Sequence, residues 1–288
     1  MQLRTLLRGH GGHVLCTRFG PNGRRVVTGG RDKAIIIWSL SGKLEHRLDG
    51  HTKRVNVLTF LPSGELVSGG GDGTIRLWSW PRGRAIKCIE AHRAQIYSLG
   101  CSADGRLIAS GSADETICVW ERDSGELRHR LEVGPRGMSF VFSADGEHLV
   151  SGRGGDTLCF WSLETGELVW EQQAGPGMVG ALELDNGGEW AISRGYGGPV
   201  TLWDTRQWSY ASVLPIIERK LGAVVLRPQH SQLVCVWAGA IGLFDRESGW
   251  EVARAEIPSN GVYGLDVSRD GCLAVTASAD NIARLWTL

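Results

Sequence analysis

The sequence lacks an excess of charge of either sign, because lysine and arginine together number 31 and aspartate and glutamate together also number 31. No overall field therefore favours nucleic acid or an acidic membrane surface as a partner. The sequence also lacks a long apolar run. The longest uncharged one, residues 233–244, contains two glycines, whereas a membrane-spanning helix needs about 20 residues. We expect no membrane segment, and the first ten residues contain no apolar stretch typical of a signal peptide.

Cysteine pairs with metal-binding or redox spacing are absent as well. The seven cysteines are spread singly, with no C-x-x-C motif, so neither a zinc site nor a dithiol site is expected. Their odd number and wide spacing are typical of reduced thiols packed in the core of a cytoplasmic protein. We therefore expect no metal and no cofactor, and a cytoplasmic location with a nuclear one left open.

Glycine and tryptophan, by contrast, are abundant, with 41 and 12 residues respectively. The segment "SGSADETICVW" has counterparts along the whole chain, each ending at an aromatic anchor. Successive anchors are 40 to 42 residues apart, at Trp38, Trp78, Trp120, Trp161, Trp203, Phe244 and Trp286. Seven near-equal units therefore account for the length, and we predict a single domain over residues 1–288.

Each unit has the pattern of four short strands. In the third, "IYSLGCS", "RLIASGS", "TICVWE" and "LRHRLE" are separated by turn-forming residues. No segment has a helical period. Because one such sheet cannot bury both of its faces alone, the pattern predicts an all-β, seven-bladed β-propeller of four-stranded antiparallel blades.

The two ends of the chain predict how the ring closes. The chain stops in the third strand of the last unit and begins with "QLRTLL", which matches a fourth strand. We expect residues 2–7 to pair with residues 282–287. This pairing would complete the last blade and remove two free sheet edges.

With these repeats the chain resembles the WD-repeat family of β-propellers over essentially its whole length. The resemblance implies a hydrogen-bonded tetrad: a His before the first strand, a Ser or Thr on the second, an Asp in the next turn, and the Trp on the third. Such a network satisfies a buried indole N–H together with a buried His and Asp. Three units have all four members: His10, Thr28, Asp32 and Trp38; His51, Ser68, Asp72 and Trp78; His92, Ser110, Asp114 and Trp120.

The later units depart from this pattern. Val133 and Gly155 stand at the His and Asp positions of the fourth unit, Gly175 and Gly197 at those of the fifth, and Pro258 at the His position of the seventh. The sixth unit lacks the His, the Asp and the Trp. We expect blades 4 to 7 to depend more on packing, and the sixth, whose second strand and turn are short, to be the least regular.

The groups that could carry chemistry have structural interpretations. His51, Ser68 and Asp72 are the parts of a hydrolytic triad, but a nucleophile is activated at one cleft and this set recurs in three units. The motif "HGGH", with His10 and His13, has no third ligand beside it. The segment "SGGGDGT" lacks the spacing of a phosphate-binding loop. We therefore do not expect an enzyme.

The resemblance further implies that the face bearing the His and Asp loops docks peptides or domains. We expect a non-catalytic scaffold or adaptor that binds a protein or peptide as a subunit of a hetero-complex. Tyr, Arg and Met are enriched at interfaces, and the candidate partner-binding residues are Arg31, Arg54, Tyr97, Arg136, Met138, Tyr196 and Tyr263. Two alternatives stay open, a propeller enzyme and a recognition module for a phosphorylated or nucleic-acid ligand, the latter favoured by Arg8, Arg31, Lys33, Lys53 and Arg54.

Overall fold

The computed structural model describes residues 1–135, 138–153, 157–174, 179, 181–184, 188–194, 200–214 and 221–288, with only the backbone for Tyr210 and Ala211. These residues form 28 β-strands in seven four-stranded antiparallel sheets. No helix occurs among them. The predicted all-β, seven-bladed propeller is therefore confirmed.

Strands run from the central channel outward within each blade. Blade 1 comprises β2 (Val14–Phe19), β3 (Arg25–Gly30), β4 (Ile35–Ser39) and β5 (Leu44–Leu48). Blade 2 comprises β6 (Val55–Phe60), β7 (Leu66–Gly70), β8 (Thr74–Trp78) and β9 (Ala85–Glu90). Blade 3 comprises β10 (Ile96–Cys101), β11 (Leu107–Ser112), β12 (Thr116–Glu121) and β13 (Leu127–Glu132).

The remaining blades have the same order. Blade 4 comprises β14 (Phe140–Phe142), β15 (His148–Arg153), β16 (Thr157–Ser162) and β17 (Leu168–Gln173). Blade 5 comprises β18 (Ala181–Leu184), β19 (Trp190–Arg194), β20 (Val200–Asp204) and β21 (Ser209–Leu214). Blade 6 comprises β22 (Leu221–Arg227), β23 (Gln232–Trp237), β24 (Ala240–Asp245) and β25 (Glu251–Glu256). Blade 7 comprises β26 (Val262–Val267), β27 (Leu273–Ser278), β28 (Ile282–Thr287) and β1 (Gln2–Arg8).

The ring closes through the first strand of the chain, as predicted. Strand β1 pairs antiparallel with β28, from Gln2 opposite Thr287 to Arg8 opposite Ile282. One irregularity falls between Leu3 and Thr5. The outer edge of blade 7 is therefore built from the opposite end of the chain.

The hydrophobic core is divided among the seven junctions between blades. Each junction contains one buried cluster, and each cluster includes the third-strand aromatic anchor of one blade together with residues of the preceding blade. Trp38 of blade 1, for example, packs with Val275 and Leu285 of blade 7. All seven anchors are at most 6 % exposed. The anchors thus fill the spaces that hold neighbouring blades together.

The turn after each tetrad Asp requires a residue in the left-handed region. Gly73 occupies it in blade 2 with φ 78°, and Lys33, Glu115 and Asn281 occupy it elsewhere with φ between 67° and 72°. At Gly73 a Cβ atom would collide with the carbonyl oxygen of His92. This turn therefore packs closely against the His loop of the next blade.

The expectation that blade 6 is the least regular is wrong. Its β23–β24 ladder is continuous from Gln232 opposite Asp245 to Trp237 opposite Ala240. Its two other ladders have only the bulges that neighbouring blades share. A tight turn at residues 238–239 with Gly239 at φ 85° absorbs the two missing residues, so the shortening leaves strand pairing intact.

Candidate functional site

One face of the ring, the upper face, carries the tetrads and those candidate partner-binding residues that the structure describes. We define it by the segments that precede each first strand and the turns between second and third strands. In blade 1 these two segments are joined where the Arg31 amide donates to the His13 carbonyl at 2.7 Å. The Gly71 amide and the Arg54 carbonyl repeat this bond in blade 2 at 2.8 Å. Residues far apart in each repeat therefore share one surface.

The four side chains of each complete tetrad lie in one hydrogen-bonded chain. In blade 1, Trp38 Nε1 donates to Thr28 Oγ1 at 2.8 Å, His10 Nε2 lies 2.8 Å from that hydroxyl, and His10 Nδ1 lies 2.9 Å from Asp32 Oδ1. The corresponding distances in blades 2 and 3 are 2.8 to 3.1 Å. Because an ionised carboxylate only accepts, Nδ1 carries the hydrogen and Nε2 accepts from the hydroxyl.

The protonation states of these groups follow from burial and bonding. Burial lowers the pKa of His10 and of His92, and this effect outweighs the opposing influence of their aspartates. Burial disfavours ionisation of Asp72, but bonds from His51 and from the backbone amides of Thr52 and Thr74 hold its pKa below the usual value. In the tetrads of blades 1 and 3, the lowered pKa of the histidine favours a neutral imidazole beside the aspartate.

The triad-like set in blade 2 cannot meet a substrate. Ser68 is fully buried, and its oxygen accepts from Trp78 Nε1 at 2.9 Å while it bonds to His51 at 2.8 Å. A nucleophilic hydroxyl needs access to the reacting carbon atom. The geometry therefore assigns these residues to the scaffold, as the repeat argument indicated.

Blades 4, 5 and 7 lack the tetrad His but retain the bond between hydroxyl and indole. The pairs are Trp161 with Ser151, Trp203 with Ser193, and Trp286 with Thr276, at 2.9, 2.9 and 3.1 Å. Arginines make further polar contacts in these blades. Arg153 pairs with Glu171 in blade 4, and Arg194 of blade 5 donates to the carbonyls of Leu221 and Gly222 in blade 6 at 2.6 and 2.8 Å.

In blade 7 an arginine bonds to the Asp in place of the missing histidine, which the sequence analysis did not predict. Pro258 stands at the His position, but the buried Arg284 donates Nη1 to Asp280 Oδ1 at 3.1 Å and pairs through Nη2 with the other carboxylate oxygen. Arg284 lies two residues before the anchor Trp286, within "ARLW". An arginine at that position in a unit lacking the His is the signal that could have revealed it.

Two groups of side chains, each with an exposed tyrosine, form contacts across blade junctions of the upper face. Arg54 of blade 2 donates Nε to Gln95 Oε1 at 3.0 Å and Nη2 to the Tyr97 hydroxyl at 3.2 Å, both in blade 3. His13 of blade 1 stacks on Tyr263 of blade 7, with ring centroids 6.1 Å apart and 20° between planes. Tyr97 and Tyr263 remain 44 % and 46 % exposed.

Two other candidate partner-binding residues that the structure describes, Arg31 and Met138, take no part in these contacts. Arg31 is exposed, and Met138 is half-buried, with its carbonyl accepting a hydrogen bond from Ser98 Oγ. Arg136 and Tyr196 lie outside the residues that the structure describes. The structure thus groups Arg54 with Tyr97 and places Tyr263 beside His13.

The central channel holds three charged side chains that sequence reasoning also missed. Arg18, Glu183 and Asp266 line a cavity of about 810 Å³, and Asp266 Oδ2 accepts from the Phe19 amide at 2.7 Å. Loss of hydration raises the pKa of Glu183 to about 7, against the lowering effect of Arg18 and Arg194 and with a further rise from Asp266. Loss of hydration likewise raises the pKa of Asp266.

A cluster with possible metal-ligand spacing comprises Asp145, Glu147 and His148, whose donor atoms lie within 4.8 Å of one another. Asp145 and Glu147 are exposed, and Asp145 Oδ1 already accepts from the Glu147 amide at 2.9 Å and from the Ser143 hydroxyl. These bonds are typical of a tight turn between strands.

Across the described residues, no helix has the length and apolar character needed to cross a membrane.

The family model described as "WD domain, G-beta repeat" matches residues 1–39, 42–79, 83–121 and 254–287, more than half of the chain. The first match begins in β1 and ends in β4, so a sequence repeat joins the outer strand of one blade to three strands of the next. Three matches contain the complete tetrads, and the fourth contains Arg284. The matched repeats thus interlock neighbouring blades just as β1 closes the ring.

Several curated relatives match over part of their length. The chain is 35 % identical over 120 residues to "Small ribosomal subunit protein RACK1y" of Oryza sativa subsp. japonica, covering 40 % of this chain and 35 % of the relative. It is 32 % identical over 130 residues to "p21-activated protein kinase-interacting protein 1-like" of Gallus gallus, covering 42 % and 35 % respectively. It is 35 % identical over 136 residues to "Chromatin assembly factor 1 subunit FAS2 homolog" of Oryza sativa subsp. japonica, covering 41 % and 27 %. The matched region therefore spans about a third or less of each relative. The family-model matches and the seven-bladed fold together show that this chain belongs to the WD-repeat family.

Proposed function

We propose that this protein is a non-catalytic scaffold or adaptor that docks a peptide or domain on its upper face. The observation that carries the proposal is the contact of Arg54 with Gln95 and Tyr97. It holds an exposed aromatic ring and a guanidinium in fixed positions on two adjacent blades. Side chains ordered before binding lose less conformational entropy when a partner arrives. Tyr and Arg are also the residue types that dominate interface energies.

A second contact on this face, between the half-buried His13 and the exposed Tyr263, extends the same surface across the junction of blades 7 and 1. Two of the relatives are named after assemblies, the small ribosomal subunit and chromatin assembly factor 1. These names support a role as a subunit of a larger complex. We propose that residues 1–288 form one interaction domain. Because all seven cysteines are free thiols, we also propose a cytoplasmic or nuclear location.

The experiment is affinity capture of the tagged protein from its native extract, followed by mass spectrometry. The test variant combines Arg54→Ala, Tyr97→Ala and Tyr263→Ala. The matched control combines Arg82→Ala, Ile86→Ala and Trp250→Ala, which removes one arginine and two large apolar side chains from exposed positions away from the upper face. Circular dichroism and thermal melting establish that both variants remain folded.

We expect at least one partner to be lost from the test variant and retained by the control. Identical partner sets for the wild type and both variants would contradict docking on the upper face. Loss from the control alone would place the interface on the lower face or the outer strands instead. Absence of any captured protein would contradict the scaffold role.

A further inference from the structure

A polar cavity opens on the lower face, which we define by the turns between first and second strands and between third and fourth strands. It has a volume of about 530 Å³ and lies among turns of blades 5, 6 and 7. Its charged and aromatic lining consists of Glu189, Trp190, Arg227, His230, Arg246 and Arg269. This volume falls within the range of about 300–1,000 Å³ that is typical of ligand sites.

The lining has an excess of positive groups. Three guanidinium groups line the cavity together with a single carboxylate, that of Glu189. Within the described part of the chain, no carboxylate forms an ion pair with Arg227, Arg246 or Arg269. The acid that precedes Arg246, Asp245, accepts through Oδ1 from the Ser248 amide and hydroxyl at 2.8 and 2.7 Å. The cavity therefore contains three arginine side chains that form no ion pair with a carboxylate of the described residues.

Arg227 is held in a fixed position at the cavity wall. Its Nε donates to the carbonyl of Gly271 at 2.8 Å, and its Nη1 donates to Gln232 Oε1 at 2.6 Å. The first bond joins blade 6 to blade 7, the second lies within blade 6, and Nη2 remains available to donate. A guanidinium fixed by neighbouring bonds needs little reorganisation to bind an anion.

Arg246 and Arg269 supply the remaining donors. The Arg246 guanidinium lies over the Trp190 ring, 4.9 Å from its centroid, and the ring orders it while its N–H edges stay available. Arg269 is exposed and has no side-chain bond to any other described residue. Three guanidinium groups from blades 6 and 7 thus line one polar cavity and have N–H donors available to it.

We propose that this cavity binds the phosphate monoester of a phosphorylated serine or threonine in a partner protein. A phosphate carries nearly two negative charges and three acceptor oxygens at neutral pH, which matches several convergent guanidinium groups better than one carboxylate does. The Arg246 guanidinium lies over the Trp190 ring, and the lining contains no second tryptophan and no tyrosine or phenylalanine. The cavity is thus rich in donors for a phosphate and poor in large aromatic rings for a base, and an extended phosphopeptide needs only the donors.

The central channel adjoins this cavity and provides a surface for the peptide residues on either side of the phosphorylated one. Leu226, Pro228 and Arg269 line both this cavity and the mouth of the central channel. Residues that flank the phosphorylated side chain therefore meet a continuous surface. The site is on the opposite face from the proposed docking surface and does not depend on it.

Fluorescence anisotropy tests this proposal with labelled degenerate peptides that carry a central phosphoserine and with the same peptides unphosphorylated. The full-length wild type is compared with the double variant Arg246→Ala, Arg269→Ala. The matched control is Arg24→Ala, Arg106→Ala, which removes two exposed arginines from lower-face turns of blades 1 and 3, outside the cavity. N-acetyl-phosphoserine amide and adenosine monophosphate serve as competitors.

We expect saturable binding of the phosphorylated peptides alone, weakened roughly tenfold or more in the cavity variant and less than about twofold in the control. N-acetyl-phosphoserine amide should compete. Equal binding of unphosphorylated peptides, or equal weakening by both double variants, would overturn the site in favour of general attraction to the surface. The absence of saturable binding would overturn it as well. Stronger competition by adenosine monophosphate than by the phosphoserine amide would assign the cavity to nucleotides instead.

Discussion

At the scale of single residues, the surroundings of a side chain decide what its chemistry can do. Asp72, His51 and Ser68 have the order and spacing of a hydrolytic triad. The Ser68 oxygen, however, is fully buried and accepts the indole hydrogen of Trp78. The same three groups therefore form a hydrogen-bonded chain that ends at the tryptophan indole, and we expect them to contribute to stability.

The variant His51→Ala should lower the free energy of unfolding by about 1–3 kcal/mol, because it leaves buried polar partners unsatisfied. His51 is only 5 % exposed and connects Asp72 to Ser68. Urea denaturation followed by tryptophan fluorescence measures the change. His46→Ala is the control, since His46 is exposed and its removal should have little effect. Unchanged stability in the His51 variant, or an equal loss in both, would contradict a structural role for the tetrad.

At the scale of strands and blades, the features that can be predicted from sequence are those that depend on residues close together in the chain. Anchor spacing, strand alternation and turn residues predicted the blades and the closing strand, and the tetrad positions were found by the same register. The Arg284–Asp280 pair was not predicted, because it depends on which side chain fills the space left by a missing histidine. Arg194 was missed for a similar reason, since its acceptors are carbonyls of another blade.

Blade 6 shows why a departure in sequence did not become a defect in structure. Its shortened second strand and turn were expected to disturb the blade, yet Gly239 in a tight turn preserves the β23–β24 register. Phe244 fills the junction that tryptophan fills elsewhere, and Arg254 lies 4.9 Å from the centroid of the Trp237 ring. Packing volume and strand register thus persist without any tetrad member.

The closing strand gives a prediction at this scale. Leu7 in β1 is fully buried in the junction of blades 7 and 1, whereas Leu3 in the same strand is 43 % exposed. Leu7→Ala should therefore reduce the free energy of unfolding by about 2–5 kcal/mol, the usual loss for a buried leucine. Leu3→Ala is the matched control and should have a small effect.

Deletion of residues 1–8 should lower the melting temperature more than Leu7→Ala does, because it also exposes the edge of β28. Differential scanning calorimetry on the three variants measures these changes. A deletion variant that melts with the wild type would show that β1 contributes nothing to closure. Equal effects of the two leucine substitutions would contradict the assigned register.

At the scale of the whole molecule, ring closure brings together charges that are far apart in the chain. Arg18, Glu183 and Asp266 each follow the first-strand residue that pairs with the Ser or Thr of the second strand. They therefore lie at one level of the channel, in blades 1, 5 and 7. No local pattern predicts this group, because it exists only when seven blades form a ring.

The carboxyl group of Glu183 makes the stability of the ring depend on pH. Its pKa in the folded protein is about 7, above the ordinary value of 4.5, so the native state binds this proton more tightly than the unfolded chain does. The native state therefore loses stability from this group as pH rises through the interval between the two values, and the loss is complete above about pH 7. The sign is opposite to that of Asp72, whose lowered pKa contributes stability that is lost on acidification.

Glu183→Gln should therefore be more stable than the wild type at about pH 8, by at most about 3 kcal/mol since one pKa unit corresponds to about 1.4 kcal/mol. At about pH 4 the two proteins should differ little, because the carboxyl group is protonated in both states. Urea denaturation at both pH values measures the difference, and Glu126→Gln, at an exposed turn position, is the control. A gain independent of pH would assign the effect to packing in the channel. A loss at high pH would mean that the ionised carboxylate stabilises the ring through Arg18, so that attraction between these charges exceeds the cost of removing Glu183 from water.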